Sequence, residues 1–307
     1  MDATQQRKCL DFFSRVALVS QRRFVDQLWS RYPEAADSTW ESLGLFLEGY
    51  AFEREGRAAG FPAAAADVIA ELRSLTLDPS DVWLRFSNKL GNVGLNIKNN
   101  PLAPKGTQGT DKNGKIFITN QKSAIELANE VGIPLVQWAL RGLKENRAAE
   151  IHAKIREVTG VGEKIAALFL RDVACRYQVF PSSSRFLLQP VDTWVERSAS
   201  LVGMAAGKNP AEFIFEIADK KGDEPERINQ GMWYFGAEIA GSQYRLSQAL
   251  PNLDKAEAWL KDHLDSLSRG ANTFSILATA VRRVERIRWK IESKISNAFG
   301  ATEADSG

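Results

Sequence analysis

Apolar residues recur every three or four positions along most of this 307-residue chain, and that period commits it to helices. The pattern runs through Phe12, Val16, Val19, Phe24 and Leu28, then through Leu43, Phe46, Leu47 and Tyr50. It resumes at Ser123 in "SAIELANE", "IPLVQWALRGL" and "AAEIHAKIREV". Two more helices are expected around "EFIFEIADK" and "INQGMWYFGAEIAGSQYRL", and a last amphipathic one over "SILATAVRRVERIRWKIESKISNAF". Asp37 or Ser38 suits a helix cap, and Pro62 suits a first turn. The short acidic end, 301–307, is expected to be disordered. The fold class that follows is all-α.

One stretch breaks the period. From Ser87 to Asn120 the chain is rich in Asn, Gly and Lys, and helix is not expected there. Within it, "DKNGKIFIT" sets Asn113-Gly114 before an apolar run, the signal of a tight turn and a short strand, so a small β-hairpin is expected near 110–120. The surrounding loop is expected to be long and exposed. Its charge is lopsided: residues 87–123 hold six lysines and the single acid Asp111, and residues 276–299 hold six Lys/Arg against two Glu. The first eighty residues lean the other way, with nine bases and twelve acids. Uneven charge of this kind marks either a solvated face or a nucleic-acid footprint, with Lys89, Lys98, Lys105, Lys112 and Lys115 as candidate phosphate contacts.

Several function classes fall away. Two cysteines, Cys9 and Cys175, stand far apart with no Cys-x-x-Cys pairing, which speaks against a disulfide framework, a zinc site or an iron–sulfur cluster. Two histidines, His152 and His263, are little material for a metal site, and no serine nucleophile elbow accompanies them. The apolar start, "LDFFSRVALVSQRRF", is interrupted by Asp11, Arg15, Arg22 and Arg23, so neither a signal peptide nor a membrane span is expected. The expected location is the cytoplasm, at the nucleoid.

The chemistry concentrates in "VTGVGEK", residues 158–164. A helix with Ile151, Ile155 and Val158 on one side runs into "TGVG", and a second helix with Ile165, Leu168 and Phe169 inward leaves it. Glycines there permit positive φ and close approach of another molecule, and the N–H groups that open the second helix form an anion site suited to a DNA phosphate. "PVDTWV", residues 190–195, follows downstream and supplies a carboxylate behind a proline.

Together "VTGVGEKIA" and "PVDTWV" resemble the helix-hairpin-helix (HhH-GPD) DNA glycosylase superfamily, which includes endonuclease III and the 8-oxoguanine glycosylases. The resemblance covers about residues 150–200 and extends to about 245. It implies that Lys164 is the nucleophile of a bifunctional enzyme and Asp192 the catalytic carboxylate. Gly160, Val161 and Gly162 would hold a phosphate through backbone N–H groups, with a monovalent cation as the one accompanying ion and no metal or other cofactor.

The chemistry needs these residue types. Breaking a glycosidic bond builds positive charge on the sugar, which a fixed carboxylate stabilises. An amine that attacks C1′ must first lose its proton, and the Schiff base it forms permits β-elimination of the 3′ phosphate. A flipped base needs aromatic faces and hydrogen-bonding groups, for which Trp194, Gln230, Trp233 and Tyr234 are candidates; core packing is the competing role for Trp233 and Tyr234.

The chain departs from the family pattern in four places. Thr159 replaces the hairpin proline, a change expected to be tolerated because threonine can cap a helix. Trp194 stands where relatives tend to have histidine. The spacer is lengthened by "RYQVFPSSSRFLLQ", and cluster cysteines are absent. The long spacer, the missing cluster and the "INQGMWYFGAEIA" helix look most like the archaeal-type 8-oxoguanine DNA glycosylase/AP lyases.

That likeness implies a two-lobed fold, with 35–185 carrying the helix-hairpin-helix (151–175) and 1–34 plus 186–300 carrying Asp192. It also implies a monomer acting on double-stranded DNA with a damaged or modified base, an oxidised purine first, and no membrane partner. The rival readings are a glycosylase acting on modified bases of foreign DNA, a non-enzymatic helix-hairpin-helix DNA-binding protein, and a helical protein-interaction scaffold.

Overall fold

The structure, a computed structural model, describes residues 2–52, 60–72, 77–90, 100–110 and 115–269. The expected carboxy-terminal amphipathic helix, the 301–307 tail, Lys98, Lys112 and the Asn113-Gly114 turn all lie outside the described residues. Contact density divides the chain into one unit over 1–253 and another over 254–307.

Within the first unit, helices dominate. They are α1 (Ala3–Ser20), α2 (Gln27–Trp29), α3 (Thr39–Phe46), α4 (Gly60–Glu71), α5 (Pro79–Leu90), α6 (Ala124–Val131) and α7 (Leu135–Lys144). After these come α8 (Ala148–Ile155), α9 (Glu163–Tyr177), α10 (Thr193–Val202), α11 (Pro210–Asp219), α12 (Pro225–Tyr234) and α13 (Gln243–Ala249). Wider π-helical turns continue α1 through Gln21–Asp26, α3 through Leu47–Ala51 and α12 through Phe235–Ala240. In the second unit, residues 254–269 are helical, with the Lys255 ammonium 5.3 Å from the centre of the Trp259 ring.

Local chemistry sets the boundaries. Ser38 caps α3 by accepting from the Glu41 N–H. Ser123 and Glu126 cap α6 reciprocally, satisfying two donors that a helix start leaves over. Pro62 sits in the first turn of α4, and Asn209 with Pro210 opens α11.

The Asn/Gly/Lys-rich stretch departs from expectation at its start. Helix α5 runs on to Leu90, because Val82, Phe86 and Leu90 share a buried face that outweighs the unfavourable composition after Ser87. The β-hairpin expected near 110–120 is present: Gln108–Thr110 (β1) pairs antiparallel with Ile116–Ile118 (β2), with Thr110 opposite Ile116.

Buried side chains gather in two regions of this unit. One core runs through Trp29, Phe46, Tyr50, Val68, Phe86, Ile125, Val136, Ile151, Phe169 and Leu188, with the Phe46 and Tyr50 rings each 5.2 Å from Phe169. The other joins α1 to the helices after Asp192. Phe12 meets Phe235 edge-on at 5.0 Å, Gln6 donates to the Val202 carbonyl, and α12 lies so close to α1 that a Cβ at Gly231 would stand 2.0 Å from the Phe13 carbonyl oxygen.

Candidate active site

The hairpin is built from α8, the turn 156–162 and α9. Gly160 takes φ +79°, a left-handed conformation that favours glycine, while Val161 turns its side chain into the core and is 4% exposed. The turn is gripped from the side by the segment that follows β2. The Lys122 N–H donates to the Glu157 carbonyl at 3.0 Å, and the Thr159 N–H donates to the Lys122 carbonyl at 2.7 Å.

Two sequence expectations about this turn change. Thr159 caps nothing: the position before α9 is Gly162, and the Thr159 hydroxyl is buried without a hydrogen-bond partner among the described residues. Val161 does not present a phosphate donor, because its N–H is committed to the Val158 carbonyl at 3.0 Å.

The available donors lie one step on. The first intrahelical bond runs from the Ala166 N–H to the Gly162 carbonyl, so Glu163, Lys164 and Ile165 have no acceptor within their helix. Nothing stands within 4 Å of where a Cβ on Gly162 would be, so another molecule's backbone can come close there. The Glu163 carboxylate is exposed beside this opening, 3.7 Å from Arg156.

Asp192 is the residue before α10. Its Oδ1 accepts from the Trp194 N–H at 2.9 Å and the Val195 N–H at 3.0 Å. Those two bonds fix the carboxylate and occupy one oxygen. The other oxygen, Oδ2, lies 3.5 Å from the Lys164 Nζ. The side chains are 15% and 48% exposed respectively, so the pair is anchored on the carboxylate side and open to solvent on the amine side. Lys164 stands in the first turn of α9, where the helix dipole disfavours a cation, and Asp192 offsets that cost.

The long spacer between the two residues is a packed segment. Arg185, in the short 3₁₀ turn Arg185–Leu188, donates through Nε and Nη2 to the two oxygens of Glu226 at 2.9 and 2.7 Å and covers the Phe180 ring at 4.3 Å. Glu226 is 1% exposed and also accepts from the Gln189 side chain.

The base-pocket candidates separate. Trp194 is half-buried and packs on Gly236, where a Cβ would meet its ring at 3.1 Å. Trp233 is half-buried, its ring 5.5 Å from that of Phe24. Gln230 is buried, and Tyr234 is buried in the core with its hydroxyl accepting from Arg23 at 3.0 Å. Among the phosphate candidates, Lys89 is already engaged, with Glu71 at 2.7 Å and Asp67 at 3.3 Å. Lys105 and Lys115 are exposed.

His152 is 3% exposed, with burial holding its imidazole below the usual histidine range, and it bonds the Glu163 carbonyl at 3.3 Å. Burial raises the Cys9 thiol to about 11 and the Cys175 thiol to about 12, which makes both poor nucleophiles. Among the described residues no group of three or more His, Cys, Asp or Glu side chains could hold a metal ion, and no helix is long and apolar enough to cross a membrane.

No family model matches the chain, and no solved structure matches it significantly. An uncharacterized protein of Methanocaldococcus jannaschii is similar, 21% identical over 209 residues, which cover 61% of this chain and 46% of that protein. The match thus spans about half of the relative's length, and its description assigns no activity.

Proposed function

We propose that this protein is a DNA base-excision glycosylase of the helix-hairpin-helix kind, with lyase activity through Lys164. The observation that carries the reading is the meeting of Lys164 Nζ and Asp192 Oδ2 at 3.5 Å, from positions 28 apart in the chain. A lysine that served only as a phosphate contact has no need of a half-buried carboxylate facing it, one oxygen of which is held by two backbone N–H groups.

In this reading a DNA phosphate sits on the N–H groups at Gly162 and the first turn of α9, and the two-lobed arrangement with 35–185 on one side places the flipped nucleotide before Asp192. Oδ2 faces the positive charge that grows at C1′ as the bond to the base breaks. The ammonium of Lys164, open to solvent, gives one proton to water; the amine forms a bond to C1′ while the base leaves with the bonding electrons and takes a proton from water, and loss of a further amine proton as the C1′–O4′ bond breaks and O4′ is protonated yields the Schiff base. Loss of the C2′ proton then expels the 3′ phosphate. An oxidised purine is the first substrate to try, and a modified base of foreign DNA the second.

Base release from duplexes carrying single modified bases tests this. Release by the wild type that disappears in Asp192→Asn supports the enzyme. Duplex binding with no release from any modified base would leave a non-enzymatic helix-hairpin-helix binding protein, for which the 48% exposure of Lys164 speaks.

A further inference from the structure

A second polar cluster lies further along α9 from Lys164, within the apolar packing. Helix α9 carries "ALFLRDVACRY", in which Arg171 and Asp172 are 6% and 5% exposed. Two adjacent opposite charges in a core are costly to desolvate and are kept only where every polar atom finds a partner.

Here they do. The Arg171 Nε donates to Asp172 Oδ1 at 3.0 Å and its Nη2 lies 2.9 Å from the same oxygen. Asp172 Oδ2 accepts from the Tyr50 hydroxyl at 3.1 Å, and that hydroxyl accepts from the Trp29 indole N–H at 3.1 Å. On the other side, the Arg171 Nη1 donates to Asn229 Oδ1 at 3.2 Å, and Asn229 Nδ2 donates to the Pro190 carbonyl at 3.0 Å. Asn229 is 0% exposed.

The ends of this chain of bonds matter. Arg171 is seven residues, about two turns, beyond Lys164 on the same helix. Pro190 is two residues before Asp192, and as a proline it has no N–H with which to tie its own segment down. The network therefore joins the helix that bears the amine to the backbone that bears the carboxylate, through one residue of α12.

We propose that Asn229, held by Arg171, is a positioning residue that sets where the Asp192 carboxylate stands relative to the Lys164 amine. The catalytic half of this inference rests on the glycosylase reading above; the placement of Asp192 does not. Asn229 touches neither reacting group. It acts through Pro190.

Asn229→Asp is the informative substitution. It keeps the shape and the acceptor for Arg171 but removes the donor to Pro190. Arg171→Lys is its companion, keeping the cation beside Asp172 without the fork that reaches Asn229. Tyr50→Phe is the control, because it weakens the same network at the end remote from Pro190.

Two measurements are made on the full chain. Amide hydrogen exchange at Trp194 and Val195, whose N–H groups Asp192 caps, reports the placement of Asp192 without any substrate. Asn229→Asp and Arg171→Lys should speed exchange at both by about tenfold or more, with Tyr50→Phe leaving them near wild type. Single-turnover base release should fall about a hundredfold in the first two, with the duplex Kd held within about twofold.

Unchanged exchange at Trp194 and Val195 in both variants overturns the proposal, as does equal loss of protection in Tyr50→Phe, which would make the network a general support of the fold. A wild type that releases no base, with the exchange result as expected, retires the enzymatic reading and leaves Asn229 as the residue that places Asp192.

Discussion

Trp194 packs against Gly236, whose missing side chain would stand 3.0 Å from the tryptophan Cβ. The tryptophan two residues after Asp192 thus has a packing partner in the π-helical turn that continues α12. Replacing Gly236 with alanine should destabilise the fold by about 1–3 kcal/mol, because the ring must shift to admit the methyl group. Gly231→Ala should cost more, since its methyl group would collide with the Phe13 backbone carbonyl at 2.0 Å, which cannot swing aside. Urea denaturation of the two variants checks the order.

Gly162 makes the opposite case. A methyl group there meets nothing within 4 Å, so Gly162→Ala should change the urea midpoint little while weakening duplex binding about tenfold or more by holding the phosphate away from the helix start. Lys89 is tied to Glu71 and Asp67, so Lys89→Gln should leave the salt dependence of binding as it is. Lys105 is exposed, and as a proposed phosphate contact its replacement in Lys105→Gln should lower the slope of log K against log salt by about 0.9. Fluorescence anisotropy at several salt concentrations measures both.

Glu226 is buried with Arg185 as its fork-shaped partner. Arg185→Met should therefore cost about 3–5 kcal/mol by leaving a carboxylate in the core without its cation. Adding Glu226→Leu should recover much of that loss, which a double-mutant cycle by chemical denaturation reads directly.

His152 gives the fold a pH dependence of known sign. Burial disfavours its charged form, so its folded-state value is depressed. The stability it contributes is fully present above about pH 6.5, where the unfolded chain's histidine is also neutral, and is lost as pH falls through the depressed value. His152→Gln should shrink the drop in unfolding free energy between about pH 7.5 and about pH 5, measured side by side with wild type.

Much of this was readable in the sequence because it is local. The three-and-four period found α6 to α9, Ser38 and Ser123 opened their helices, and the glycines of "VTGVGEK" mark a turn wherever they occur. What the sequence hid is what depends on partners far along the chain. Nothing near Val161 says that its N–H is spent on Val158, or that the chain after β2 would brace the turn through Lys122. Thr159 has the chemistry of a cap, yet packing buries its hydroxyl. The clearest missed signal was "LRD" inside the apolar run of α9: an arginine and an aspartate there needed partners, and those partners, Tyr50 and Asn229, lie more than fifty residues away on either side.

In the proposed chemistry Lys164 attacks the sugar while Asp192 steadies it. Borohydride trapping on duplexes carrying 8-oxoguanine or an abasic site addresses it most directly. The wild type should give a covalent protein–DNA adduct, Lys164→Gln none, and Asp192→Asn sharply reduced base release. A wild type that forms no adduct with either duplex, or an adduct that survives unchanged in Lys164→Gln, would contradict it.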